Sequence, residues 1–255
     1  MKKYKLKVIG NDRVIISRNV PFIPYGKRKW NNGGRKKKIG FEYMPVKDYV
    51  KTLNRKGLDY SVLKISSNAC KFITLTLSRD MEWSELLKVY NQFLYRFKKE
   101  FGNVEYIRGI EIQEDTLRYH IHVIFIFPST PPSIPLEWLS DNWGYGIVHL
   151  ENNVYDVWGL IEYLTKFKQG SVQEDKTLTY FPKGGKILSS SYGIPREESK
   201  IIEIDTEQFR SIQSYCKKSN KPITHRGHFY NEGKFCLDKT YIRDMNEFIE
   251  NNLRD

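Results

Sequence analysis

The fold is decided by the stretch His120-Ile121-His122-Val123-Ile124-Phe125-Ile126-Phe127. Residues two apart in a β-strand share a face, so the two imidazoles would project from one face while Ile121, Val123 and Phe125 project from the other. Beyond His122 every position is apolar, which is typical of a central strand covered on both faces. Two core histidines bonded to carbonyl groups or water would give this pattern, and so would half of a metal site.

A third metal ligand is available upstream, in the alternating segment 106–113. Glu111 and Gln113 would share one face of this strand, and the turn residues Glu114-Asp115-Thr116 follow it. A hairpin would therefore bring Glu111 or Gln113 beside the histidines. Two imidazoles and one oxygen ligand leave open coordination positions and suit Mn2+ or Mg2+ at a catalytic site. Structural zinc would more often have cysteine ligands.

A second candidate group lies in the segment 157–167, which has the pattern of an amphipathic helix. Its apolar stripe contains five residues at helical spacing: Val157, Leu160, Ile161, Leu164 and Phe167. Tyr163 and Lys166 lie outside this stripe and are neighbours on the helix surface, because they are three residues apart. Taken alone, the pair would be a surface tyrosine beside a solvated lysine.

These residues together resemble the HUH endonucleases, and within them the rolling-circle replication initiators of plasmids and small phages. Three blocks occur in the order found in that family: Phe72-Ile73-Thr74-Leu75-Thr76-Leu77, His120-Ile121-His122 preceded by Glu111, and Tyr163-Leu164-Thr165-Lys166. A later basic segment, from Phe181 through Lys183 and Lys186 to Gly193, is also similar to that family. The resemblance covers residues 70 to 195.

The resemblance implies a nicking and joining reaction on DNA. Tyr163 would attack a phosphodiester and become linked to the 5′-phosphate, releasing a free 3′-hydroxyl, and Lys166 would stabilise the developing charge. His120, His122 and Glu111 would hold a divalent ion, Mn2+ or Mg2+. Nine positions separate Glu111 from His120, one more than the common pattern, so Gln113 and Glu114 remain alternatives as the third ligand. The absence of another tyrosine three or four residues from Tyr163 indicates the single-tyrosine subclass.

Charge is concentrated near the amino terminus, which indicates a nucleic-acid partner. Residues 1–66 contain 18 Lys and Arg against 4 Asp and Glu, a net charge of +14, whereas the whole chain has +12. Two basic clusters enclose a flexible Asn-Asn-Gly-Gly and include a stacking aromatic, which is typical of contact with DNA phosphates and bases. The predicted DNA-binding residues are Lys27, Arg28, Lys29, Trp30, Arg35, Lys36, Lys37, Lys38, Lys183 and Lys186.

The predicted fold class is α+β. Three consecutive regions are expected: a basic extension (1–66), a nuclease core (67–198) and a carboxy-terminal accessory region with helices and strands (199–255). The resemblance implies a five-stranded antiparallel, palm-like sheet in the core, with helices packed on it and the histidines on a central strand. In the accessory region, residues 206–218 and 239–253 have helical patterns, with Asp205 and Asp238 as expected caps and a hairpin near residues 231–233.

The expected function is that of a replication initiator that nicks single-stranded or hairpin origin DNA. A single-strand transposase or mobilisation protein would use the same chemistry, and a non-catalytic DNA- or RNA-binding protein is the alternative from another class. No P-loop motif occurs, so a host helicase and polymerase would act in trans. No long apolar stretch or secretory signal occurs, which favours the cytoplasm of a bacterial or archaeal host and no membrane partner. The three cysteines, Cys70, Cys216 and Cys236, are expected to be free thiols.

Overall fold

The structure is a computed structural model that describes residues 4–19, 53, 56–57, 59–113, 115–165, 181–182, 184–219, 223–231 and 234–253. The described chain divides into two units. One unit is built from both ends of the chain, and the other from the segment between them.

The elements follow the chain in an α+β order. The strands are β1 (Tyr4–Ile9), β2 (Arg13–Asn19), β3 (Cys70–Leu75), β4 (Glu105–Ile112), β5 (Tyr119–Ile126), β6 (Val148–Glu151), β7 (Leu188–Ser190), β8 (Ser199–Ile204), β9 (Ile223–Asn231) and β10 (Lys234–Ile242). The helices are α1 (Trp83–Phe101), α2 (Leu136–Trp143), α3 (Val157–Thr165), α4 (Thr206–Lys218) and α5 (Asn246–Asn252).

The middle unit contains a five-stranded antiparallel sheet in the order β6-β3-β5-β4-β7. The histidine strand β5 is its central strand. The α+β fold class and the five-stranded antiparallel sheet predicted from the sequence are therefore confirmed. The long apolar run of β5 has the expected cause, since the residues from Ile121 to Phe127 are all buried.

One face of this sheet is covered by α1. The ring of Phe97 stacks on Phe125 of β5 with the ring centroids 3.9 Å apart, and α2 packs beside α1 through Trp138 and Trp143. The buried residues of α1 recur at helical spacing, as the amphipathic pattern requires: Leu86, Val89, Tyr90, Phe93 and Phe97. Because Phe125 and the two histidines alternate along β5, α1 occupies the face opposite the histidines.

The unit formed by the chain ends contains a second five-stranded antiparallel sheet, in the order β8-β1-β2-β10-β9. Its core lies between this sheet and the two carboxy-terminal helices, where Leu6 and Val14 are buried with Ile212 and Phe248. The sequence analysis treated residues 1–66 as an extension and 199–255 as a separate region, and it contained neither β1 nor β2. These strands pair with partners about 180 residues or more away. The division into three consecutive regions stays a prediction.

The first helix of the carboxy-terminal region begins as predicted. Asp205 caps α4, since its side chain accepts hydrogen bonds from the backbone N–H groups of Glu207 and Gln208. The local signal of a capping residue before a periodic segment was therefore sufficient at this position.

The second helix of that region differs from the expectation. The helix expected over 239–253 is wrong at its start, because residues up to Ile242 form β10 and the helix begins at Asn246. Asp238, the expected cap, lies within β10. Pairing of β10 with β2 and β9 outweighs the local helical pattern. The hairpin near residues 231–233 is confirmed by the pairing of Asn231 with Lys234.

Candidate nuclease site

Cross-strand pairing collects the candidate residues on one face of the middle sheet. His122 of β5 pairs with Thr74 of β3 on one side and with Gly109 of β4 on the other. His120 pairs with Glu111. Directly paired residues of antiparallel strands share a face, so the imidazoles, the carboxylate and the Thr74 hydroxyl all lie on the face opposite α1.

The imidazole of His122 is held at both of its nitrogens. Nδ1 lies 3.1 Å from Oγ1 of Thr74, and Nε2 lies 3.2 Å from Oε2 of Glu111. The ring also stacks on Phe72 with an interplanar angle of 4°. A hydroxyl can donate or accept a hydrogen bond, so Thr74 can serve either tautomer of the imidazole. These contacts fix the ring with Nε2 directed at Glu111.

Tyr163 meets the same carboxylate from the helix above the sheet. Its hydroxyl donates a hydrogen bond of 2.7 Å to Oε2 of Glu111 and lies 3.5 Å from Nε2 of His122. The phenol and the imidazole meet edge to face, with ring centroids 5.5 Å apart. The side chain of Tyr163 is 43% exposed, whereas its helix neighbours Ile161 and Leu164 are buried. The phenol therefore reaches the site at the boundary with solvent.

A glycine brings the tyrosine helix close to the sheet. A Cβ at Gly109 would lie 2.9 Å from Cδ2 of Leu164, closer than such atoms approach in real structures, and 3.5 Å from its Cβ. Leu164 follows Tyr163 in α3, so the missing side chain at position 109 allows the helix to bring the phenol down to Glu111 and His122. Glycine in a strand interior often marks such a close approach.

His120 forms the outer part of the site and is half-buried. Its ring centroid lies 6.1 Å from that of His122. Burial and the neighbouring His122 lower the pKa of His120 from its ordinary value of 6.5, against the opposing effect of Glu111. A lowered pKa keeps the imidazole neutral at neutral pH, which is the form that binds a metal ion.

The donor set fits a divalent metal ion by residue type. It consists of His120, His122 and Glu111, and the Thr74 hydroxyl on Nδ1 of His122 is the kind of outer contact that orients a metal-binding imidazole. In the described part of the chain, no group of three His, Cys, Asp or Glu side chains is close enough together to hold an ion. The structure thus brings two of the three side chains, His122 and Glu111, into contact and places His120 beside them.

Gln113, the alternative third ligand, is not brought to the histidines. Its side chain is exposed and accepts a 3.0 Å hydrogen bond from Oγ1 of Thr116 within the turn between β4 and β5. Glu114 lies outside the described residues.

Of the predicted cations, Lys186 is exposed in the turn before β7. Its backbone oxygen accepts a hydrogen bond from Arg108, and the next residue, Ile187, accepts one from the backbone of Ile110 on β4. The other predicted cations and Trp30 lie outside the described residues: Lys27, Arg28, Lys29, Arg35, Lys36, Lys37, Lys38, Lys166 and Lys183. Sequence reasoning assigned no individual role to Thr74 or Gly109, although an isolated glycine inside an alternating strand was a signal for the latter.

Comparison with known families supports a replication protein. Residues 70–168 match the model of the Replication-associated protein ORF2 family, and this match runs from β3 through α3 and contains every contact described above. The segment is thus similar to proteins that act in rolling-circle replication, which suggests a function in replication initiation. Neither the curated proteins nor the solved structures gave a match to this chain. Among the described residues no helix is long and apolar enough to cross a membrane.

Proposed function

We propose that this protein is a single-tyrosine HUH endonuclease that initiates replication by nicking and rejoining single-stranded origin DNA. The observation that carries the proposal is the contact of one carboxylate oxygen of Glu111 with both the phenol of Tyr163 and the imidazole of His122. A core histidine pair would not need an exposed phenol at the same oxygen. The family match over the same segment supports this assignment.

The proposed reaction is a transesterification at phosphorus. The phenol oxygen of Tyr163 attacks the scissile phosphate, the bond from phosphorus to the 3′-oxygen breaks, and that oxygen leaves as a hydroxyl after taking up a proton. The phenol proton has an acceptor in place, since Tyr163 donates to Glu111. The phosphotyrosine keeps a phosphoester bond, so attack by a 3′-hydroxyl can reverse the step without ATP.

The charge of the phosphate must be neutralised for this reaction. A Mn2+ or Mg2+ ion held by His120, His122 and Glu111 would supply that electrostatic stabilisation. Lys166, three residues from the nucleophile, is proposed as a further cation for the phosphate oxygens, and Lys186 and the amino-terminal basic clusters as contacts to the rest of the strand. A host helicase and polymerase are the proposed partners, because the chain has no P-loop.

A covalent adduct tests this function. The protein is incubated with Mn2+ and single-stranded oligonucleotides that tile the replicon carrying its gene, and adducts are separated on a denaturing gel. We expect an adduct whose nucleotide maps to Tyr163 and which disappears with EDTA. Binding without an adduct on any oligonucleotide would contradict the nuclease and favour a non-catalytic DNA-binding protein.

A further inference from the structure

The edge of the nuclease sheet carries two exposed side chains that the proposed chemistry does not use, Ile147 and His149. His149 lies on β6, where it pairs with Thr74, which in turn pairs with His122. Because directly paired residues share a face, His149 continues the row of the candidate site toward the sheet edge. Two strand spacings of about 4.8 Å place its backbone about 10 Å from that of His122.

The backbone of Ile147 is fixed by the second threonine of the β3 motif. The Thr76 hydroxyl donates a 2.9 Å hydrogen bond to the carbonyl of Ile147 and accepts a 2.8 Å hydrogen bond from its N–H. The backbone N–H of Thr76 donates to the same carbonyl. The two threonines thus have separate contacts: Thr74 holds the imidazole of His122, and Thr76 holds the start of β6.

The preceding turn is clamped in the same way. The carbonyl of Thr76 accepts a hydrogen bond from the indole of Trp143, and Ser78 donates to the carbonyl of Tyr145 through both its backbone and its hydroxyl. A Cβ at Gly146 would lie 2.5 Å from the Thr76 carbonyl oxygen, so the turn sits directly against the end of β3. Ile147 is therefore held rigidly, although its side chain is 75% exposed.

A rigid, exposed aliphatic side chain beside an exposed imidazole has the chemistry that recognises a nucleobase. Imidazole rings stack on bases, and aliphatic side chains pack against base faces and the thymine methyl group. Neither side chain brings a charge that would repel a phosphate. We propose that Ile147 and His149, the edge platform, bind the base of a nucleotide next to the scissile phosphate. This inference rests on the proposed function and names the part of its substrate that the platform holds.

The platform predicts a loss of affinity without a loss of chemistry. The probe is a fluorescein-labelled pool of randomised single-stranded 15-nucleotide DNA, and binding is measured by fluorescence anisotropy. The double variant Ile147→Ser, His149→Ala should bind the pool about tenfold more weakly, whereas the rate of adduct formation with Mn2+ at saturating DNA should stay within about twofold of the wild type. Sequencing of the trapped strands should show a relaxed base preference beside the nick.

A matched control removes an exposed aliphatic side chain elsewhere in the same unit. Leu136, at the start of α2, is 54% exposed, and Leu136→Ser should bind and react as the wild type does. Thermal melting checks that all variants are folded. Wild-type affinity and base preference in the double variant would overturn the platform and leave the nuclease standing. Platform-dependent binding without any adduct would keep the platform and overturn the nuclease, and a wild type that does not bind the pool would overturn both.

Discussion

The phenol oxygen of Tyr163 lies 2.7 Å from Oε2 of Glu111, although 52 residues separate the two in the sequence. The contact joins the tyrosine helix α3 to the hairpin that carries both histidines. It orients the phenol toward the side chains that are proposed to neutralise the phosphate. The most direct prediction therefore concerns this hydroxyl.

Replacement of Tyr163 by phenylalanine should eliminate the covalent adduct and the nick. The change removes one oxygen at a half-exposed position, so the free energy of unfolding should change by no more than about 1 kcal/mol. Affinity for single-stranded DNA should be retained. Tyr155 is a matched control, because it is 86% exposed and lies in the same unit outside the site. An adduct that persists in Tyr163→Phe but is lost in Tyr155→Phe would show that the wrong tyrosine was chosen.

The metal assignment predicts a thermal shift with Mn2+ that depends on the histidines. An ion bound only by the folded protein raises the melting temperature, by about 2.7 kcal/mol of stability at a hundredfold excess over Kd. The double variant His120→Ala, His122→Ala should lose this shift, and Glu111→Ala should weaken it. Gln113→Ala should keep it, since Gln113 bonds within its own turn. A full shift in the double variant would disprove the assignment, and a loss in Gln113→Ala would move the third ligand to Gln113.

The contact between Thr74 and His122 predicts a difference between two conservative variants. Thr74→Val keeps the shape of the side chain but removes the hydroxyl at Nδ1, and loss of such an outer contact typically lowers metal affinity by about 10-fold to 100-fold. Thr74→Ser retains the hydroxyl and should restore most of the affinity. Titration with Mn2+ at constant pH measures both. Equal affinities for the valine and serine variants would mean that the hydroxyl does not orient the imidazole.

Gly109 predicts a variant that acts on the nucleophile from below. In Gly109→Ala the new methyl group meets Leu164 at 2.9 Å, so α3 must shift outward and stability should fall by about 1–3 kcal/mol. The rate of adduct formation should fall at least tenfold because the phenol moves away from its partners. Leu164→Val removes the atom in conflict and should partly restore the rate in the double variant. An additive double-mutant cycle would contradict the proposed contact.

The amino-terminal basic clusters are best tested by neutralising their charge. Deletion of residues 1–38 would also remove β1 and β2, which lie inside the terminal sheet. Replacement of the seven cations at positions 27–29 and 35–38 by glutamine spares those strands. If the clusters bind DNA phosphates, the dependence of log affinity on log salt should flatten by several contacts. An unchanged slope with an unchanged melting temperature would show that the clusters do not contact the DNA.

The elements of the middle unit could be predicted from the sequence because their signals are local. The expected hairpin over 104–127 is observed as β4 and β5, and the helix expected from about 82 to 100 as α1. Alternation and helical periodicity show which side chains face a core, and nearby pairing partners then define the structure. The contact between Glu111 and His122 follows from this hairpin.

The rest depends on contacts that are distant in sequence. The apolar stripe of α3 indicated a helix, but only the family resemblance suggested that Tyr163 meets the histidines. The contact of Thr74 with His122 depends on the register between β3 and β5, which no single segment specifies. The pairing of β1 with β8 and of β2 with β10 was missed for the same reason.

The order of the strands makes the nuclease a cassette inserted into another folded unit. The chain leaves the terminal sheet after β2, forms the whole middle unit and returns to that sheet at β8. The two ends of the cassette lie side by side, because the N–H of Lys64 donates a 2.8 Å hydrogen bond to the carbonyl of Pro195 and Leu63 forms a bridge with Arg196. Adjacent ends are the condition under which one domain can be transplanted into a loop of another. The catalytic cassette could therefore be exchanged between hosts of different DNA specificity by cutting and joining the chain at a single point in space.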